Sequence, residues 1–143
     1  MITDLGHTAL AVYDLERSLA FYALLGIREA FRLHRDDGSL MLVYLHVAGD
    51  RFIEIFPNGP PPNAQPAGSF KHLCLLTDDI REMVERLRQA GVTIDRELKV
   101  GLDGNQQAWV KDPDGNAIEL MQLIETSPQR RIARGEAATA KNA

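Results

Sequence analysis

The stretches HTALAVYDLERSLAFYALLG (His7–Gly26) and HLCLLTDDIREMVERLRQAG (His72–Gly91) share one plan: a histidine, a short apolar run, an aspartate, an amphipathic segment and a closing glycine. A single offset of 65 residues aligns His7 with His72, Leu10 with Leu75, Asp14 with Asp79, Gly26 with Gly91 and, farther on, Glu54 with Glu119. Self-similarity over tens of residues marks a duplicated structural unit, and missing it would misassign the whole fold. Matches of His, Asp, Gly and Glu at one offset make the chain a tandem repeat.

Each copy then unfolds in the same order. HTALAV and HLCLLT are short strands, after which Asp14 and Asp79 stand where an N-cap accepts the first free N–H groups of a helix. Ile80, Met83, Val84 and Leu87 recur at helical spacing, and Leu15, Leu19, Tyr22 and Leu25 trace a looser stripe in the first copy. Gly26 and Gly91 suit the left-handed residue that closes a helix. Three strands follow in each half: IREAFRL, LMLVYLHV and RFIEIF, then VTIDREL, QQAWVK and AIELMQL. The turns between them are DDGS, AGD, LDGN and DPDGN. The order βαβββ, twice, predicts an α+β fold in which two tandem modules form a curved mixed-sheet cup with helices on its outer faces.

Five of the seven prolines lie between Pro57 and Pro66, in a stiff run that cannot join a central strand. This places module one at 4–56, a linker at 57–68 and module two at 69–123, within a single domain 1–124. From 125 to 143 apolar periodicity fades, and a flexible tail with a partial helix near 130–138 is expected. At 143 residues, 45% hydrophobic and 25% charged, the chain has an ordinary globular composition. A net charge of −4 offers no basic surplus for nucleic acid. The single cysteine, Cys74, excludes an intramolecular disulfide. The N-terminus lacks a signal-like start and no apolar run is long enough to span a bilayer, so a cytoplasmic protein without membrane partners is expected.

Strand alternation sorts the polar residues. His7, Ala9 and Ala11 share one face of the first strand, and His72, Cys74 and Leu76 the matching face in the second copy. In the last strands Phe52, Glu54 and Phe56 oppose Ile53 and Ile55, while Ala117, Glu119 and Met121 oppose Ile118 and Leu120. Each module thus directs one imidazole and one carboxylate away from its helix, among small and apolar neighbours. A lone His or Glu on a strand is usually solvated, but a repeated pair of pairs is a candidate site for one divalent metal: His7, Glu54, His72 and Glu119. Imidazole and carboxylate together suit Ni or Zn, and also Co, Mn or Fe. His34 and His46, which have no counterpart at the offset, are read as ordinary strand or surface residues. Cys74 is read as a small apolar filler, and Trp109 as core or, as the lesser alternative, a cavity wall.

With GHTALAVYDLERSLAFYALLGI (6–27) and VKDPDGNAIELMQL (110–123), the chain resembles the vicinal oxygen chelate superfamily. That family includes glyoxalase I, extradiol dioxygenases, methylmalonyl-CoA epimerase and the bleomycin and fosfomycin resistance proteins. The resemblance covers residues 4 to 123 and implies paired modules holding a metal. The order His, Glu, His, Glu is most similar to glyoxalase I, lactoylglutathione lyase, which implies a homodimer in which each site draws on both chains. It further implies a small-molecule substrate, the hemithioacetal of a 2-oxoaldehyde with glutathione or another thiol, isomerised through a metal-stabilised enediolate. Glu119 is then the base and Glu54 its opposite partner. Asn58 matches a family asparagine that touches the tripeptide, whereas Ala11 stands where glutathione-using members carry an arginine. Asn58, Ala11, Phe56 and Met121 form the candidate substrate-contacting set.

Three other functions remain open on these residues. An epimerase would use the same metal and the same proton transfer. An extradiol-type dioxygenase needs open coordination positions, which a fourth protein ligand at Glu54 would occupy. A metal-free, drug-sequestering protein would have no use for the quartet.

Overall fold

The computed structural model describes residue 1, residues 3–62 and residues 70–136. Parts of the predicted linker (63–69) and tail (137–143) lie outside the described residues. The elements are β1 (His7–Ala11), α1 (Leu15–Leu24), β2 (Arg28–His34), β3 (Leu40–Ala48) and β4 (Arg51–Phe56), then β5 (Leu73–Leu76), α2 (Ile80–Gln89), β6 (Arg96–Val100), β7 (Gln106–Lys111), β8 (Ala117–Gln122) and α3 (Pro128–Ala133). The chain forms two compact units, Met1–Ser69 with Asp112–Gly115, and Phe70–Lys111 with Asn116–Ala143.

Each unit carries a four-stranded mixed sheet, ordered β1-β4-β3-β2 in the first and β5-β8-β7-β6 in the second. β1 runs parallel to β4 and β5 to β8, and the remaining neighbours are antiparallel. The βαβββ repeat is therefore present, and the reason is local. Asp14 and Asp79 accept the N–H groups of Arg17 and Glu82 at 3.0 and 2.9 Å, capping α1 and α2. At the other end Gly26 and Gly91 adopt φ of 81° and 80°. This lets Ile27 N–H reach the Tyr22 carbonyl and Val92 N–H the Leu87 carbonyl, in the same C-terminal motif.

That motif also corrects one strand. VTIDREL was expected to pair from Val92, but β6 starts at Arg96. Val92 N–H is committed to closing α2, and Asp95 N–H bonds the Trp109 carbonyl at 2.8 Å, so the ladder with β7 begins only at Arg96. The stripe of α1 is rotated as well: Ser18, Phe21, Tyr22 and Leu25 are buried, with Leu15 and Leu19 at its margin. Polar atoms explain the rotation. Ser18 Oγ donates to Asp114 at 3.2 Å and Tyr22 OH to Asp112 at 2.9 Å, both in the turn Asp112–Gly115 that groups with the first unit. Burial, reinforced by the Asp112 charge, holds the Tyr22 phenol far above its ordinary pKa.

The core of each unit is apolar. Val12, Phe21, Val43, Leu45, Ile53 and Ile55 fill the first unit, and Ile80, Val84, Leu87, Val110, Ile118 and Leu120 the second. α3 begins two residues before the expected helix, because Ser127 caps it and Pro128 occupies the position where its missing N–H costs nothing. Asn105, fully buried, donates to Asp103 and Gln129 and accepts from Ile124 N–H, tying α3 to the β6–β7 turn. Among the described residues no helix is long and apolar enough to cross a membrane.

Candidate metal centre

Strand alternation decides what reaches each sheet face. Ile53 and Ile55 enter the apolar core, so Glu54 between them turns to the opposite face, and Ile118 and Leu120 do the same for Glu119. His7 opens β1 and His72 immediately precedes β5, each on the strand parallel to its glutamate's. His7 Nε2 lies 3.4 Å from Glu54 Oε2, and His72 Nε2 lies 3.1 Å from Glu119 Oε2. The carboxylate side chains are 10% and 8% exposed and the imidazoles 50% and 35%, so each pair is a buried anion beneath an accessible nitrogen.

A buried carboxylate needs a positive or hydrogen-bonding partner. The geometry of both pairs fits a shared cation. Donors about 2.1 Å from one ion are separated by roughly 3.0 Å in octahedral and about 3.4 Å in tetrahedral arrangement, which brackets the bite of each pair. Each unit contributes two donors only: among the described residues no group of three or more His, Cys, Asp or Glu side chains lies close enough to hold an ion. The structure therefore brings His7 to Glu54 and His72 to Glu119.

Ala11 and Phe56 are register partners on the His7 face, and Met121 pairs with Leu76 in the second unit. Asn58 has φ of 64°, the one non-glycine residue in the left-handed region among those described. Its turn brings Gly59 N–H to the Val12 carbonyl at 2.8 Å and packs Gly59 so tightly that a Cβ there would lie 2.5 Å from the Ala11 carbonyl carbon. Backbone geometry accounts for Asn58 at this position. His46 Nε2 bonds the Gly49 carbonyl at 2.9 Å, and His34 ends β2, exposed.

Trp109 corrects its expected place in the core. Ala108 and Val110 are the buried residues of β7, and the indole stands half-buried on the Glu119 face. Its ring meets His72 edge-on at 4.7 Å and carries the Arg96 guanidinium 5.1 Å above it. One further group escaped the sequence reading. Tyr44 lies opposite Glu54 in register, and the carboxylate facing it, together with burial, raises its phenol pKa. Tyr44 and Trp109 are themselves 65 residues apart, so extending the offset to aromatic residues would have found the pair.

Cys74 lies opposite Glu119 in register. Cys74 is exposed rather than an apolar filler, and partial burial of its sulfur first, then the Glu119 charge, push the thiol up to about 12. At neutral pH the thiolate fraction is correspondingly small. In the metal-free protein Cys74 is expected to react with iodoacetamide roughly a hundredfold or more slowly than an ordinary thiol. A rate equal to that of free glutathione at pH 7 would contradict this placement.

Residues 4–120 match the profile of the Glyoxalase/Bleomycin resistance protein/Dioxygenase superfamily. The lactoylglutathione lyase of Salmonella typhimurium is 31% identical over 121 residues, covering 81% of this chain and 90% of the enzyme. The ethylmalonyl-CoA/methylmalonyl-CoA epimerase of Cereibacter sphaeroides is 30% identical and matches 86% of this chain over its whole length (100%). Among solved structures, the trypanothione-dependent glyoxalase I of Leishmania major superposes with a TM-score of 0.73 at 26% identity, covering 95% of this chain and 100% of that one.

Proposed function

Because the chain belongs to the glyoxalase/bleomycin resistance protein/dioxygenase superfamily, we propose that it is a metal-dependent lyase or isomerase of the glyoxalase type, moving a proton between adjacent carbons of a small substrate. The observation that carries this reading is the duplicated imidazole–carboxylate pair, at 3.4 Å in one unit and 3.1 Å in the other. His7, Glu54, His72 and Glu119 hold one divalent cation, Ni or Zn before Co, Mn or Fe, and a homodimer brings the pairs together. When bound, the cation supplies Lewis acidity to the substrate's neighbouring oxygens.

The chain's own groups do the rest. Glu119, shielded from water on a rigid strand, removes the proton from the first carbon and returns it to the second. Glu54 faces the substrate as the opposite carboxylate, and both imidazoles would donate to the cation. Ala11, Phe56 and Met121 leave an open apolar surface beside them, and the substrate is a 2-oxoaldehyde adduct of glutathione or another thiol. The epimerase relative supports a second substrate class, an acyl-CoA, since removing a proton beside its carbonyl needs the same base.

Metal content and product formation test this together. One ion per chain and S-lactoylglutathione from methylglyoxal and glutathione are the expected results. Two ions per chain would mean that each pair binds separately. A protein that stays metal-free after repletion would remove the catalytic reading, whereas a metal-loaded protein that makes no S-lactoylglutathione but exchanges the acyl-CoA α-proton in deuterated water would move it to the epimerase class.

A further inference from the structure

The duplication accounts for the four donors but not for what lies beside His7. His7, Phe52, His46 and Arg28 are successive register partners across the first sheet, from β1 to β2, and so share one face. The positions 65 residues on hold His72, Ala117, Lys111 and Thr93, and there Lys111 pairs with Asp95 at 3.3 Å. Only the histidine is repeated. In the first unit Phe52, His46 and Arg28, with Phe31 and Val47, line an open cavity of about 580 Å³, a size usual for small-molecule sites.

Its wall is aromatic and fixed. Phe52 meets His46 at 5.2 Å and Phe31 at 6.4 Å, and Phe31 stacks on Tyr44 at 4.4 Å. His46 Nε2 donates to the Gly49 carbonyl, which holds the imidazole in place. Phe31 is nonetheless 45% exposed, an apolar ring left in water on the face that carries His7. Arg28 ends the row, and its guanidinium has no ion-pair or hydrogen-bond partner among the described residues. Arg32, four residues on, is by contrast clasped by Glu29 at 2.8 and 2.9 Å.

We propose that this cavity seats the arm of a CoA-linked substrate: the arm lies along Phe52 and Phe31, and a phosphate reaches Arg28 while the reacting group stands at the His7–Glu54 pair. The proposal rests on the metal site above and names the carrier thiol. Reach and charge select it. Arg28 lies three strand spacings from His7, about 14 Å. From the sulfur of CoA to its first phosphorus there are about thirteen bonds, about 15 Å of extended chain. That chain is largely methylene and amide, which suits the ring wall, and its phosphate matches a guanidinium in charge and hydrogen-bond geometry. The glycine branch of glutathione ends after about six bonds, about 7 Å out. Its longer branch, of about eight bonds, carries an ammonium on the same carbon as the carboxylate and offers an unpaired guanidinium little net charge.

Calorimetric titration of the protein, before and after metal loading, with S-methyl-CoA, S-methylpantetheine and S-methylglutathione tests the proposal, since the three carry one sulfur head on different arms. S-methyl-CoA should bind about 10-fold or more tighter than the other two. Arg28→Gln, at an exposed position that bonds nothing, should weaken S-methyl-CoA about 10- to 100-fold and leave the others unchanged. Arg32→Gln makes the same change of charge nearby and should bind all three as the parent does. Equal affinity of the parent for S-methyl-CoA and S-methylpantetheine would overturn the proposal, as would equal losses in Arg28→Gln and Arg32→Gln. S-methylglutathione binding that depends on Arg28 as strongly would overturn it in favour of a carboxylate arm. A protein that takes up no metal yet binds S-methyl-CoA through Arg28 would overturn the proposed chemistry and leave the cavity's role standing.

Discussion

Glu119→Gln is expected to fold normally and to turn substrate over about 10²–10⁴ times more slowly, the usual contribution of a positioned general base. The amide has nearly the volume of the carboxylate, and its oxygen can still face His72, 3.1 Å away in the parent. A neutral amide is also less costly to bury than a charge, so stability should not fall. Metal affinity will weaken, because an amide oxygen is a poorer donor, and turnover has to be read at saturating metal. Deuterium exchange into substrate separates the causes: a lost base stops exchange, whereas a merely weakened metal site recovers with added ion. Glu54→Gln provides the contrast. With Glu54 a ligand and Glu119 the base, that variant should lose metal affinity foremost and regain much of its rate when saturated. Full activity in Glu119→Gln with loss in Glu54→Gln would exchange the two roles.

The repeat made most of this architecture legible. Period-2 alternation, two Asp caps and two closing glycines are local signals, and each acts in the structure through the backbone bond that the residue type implies. The donors were legible for the same reason: on a strand, residues 54 and 119 must face away from the isoleucines beside them. What failed depended on partners distant in sequence. β6 begins late because α2 consumes the N–H of Val92, which composition cannot show. Trp109 was read by its hydrophobicity, although its neighbours Ala108 and Val110 already occupied the buried face. Tyr44 carries no signal of its own within LMLVYLHV, because its place opposite Glu54 becomes visible only when β3 is laid beside β4 in register. DPDGN carried the strongest turn signal and concealed the most. As a turn it is ordinary, yet two of its side chains bond into α1, nearly a hundred residues earlier.

Asp114→Ala should accordingly cost about 3–4 kcal/mol, far more than a turn residue warrants. Its carboxylate is 5% exposed and accepts from Tyr13 N–H at 2.8 Å and Ser18 Oγ at 3.2 Å. Hydrogen bonds to a charged group are worth roughly 1.5–3 kcal/mol each, and the fully buried Ser18 hydroxyl would lose its partner rather than regain water. Against a net stability of about 5–15 kcal/mol this is a large fraction. The melting temperature should drop by about 10 °C at the 2–4 °C per kcal/mol usual near this size. Asp114→Asn keeps an oxygen in place without the charge and should recover about half the loss. A loss below about 1 kcal/mol would mean that water replaces both bonds. The site itself predicts a different response. The His72–Glu119 pair is built where β5 meets β8, in register from Leu73 against Ile118, inside the second unit, whereas the turn groups with the first. Cobalt affinity of the folded variant should therefore match the parent while its unfolding midpoint falls.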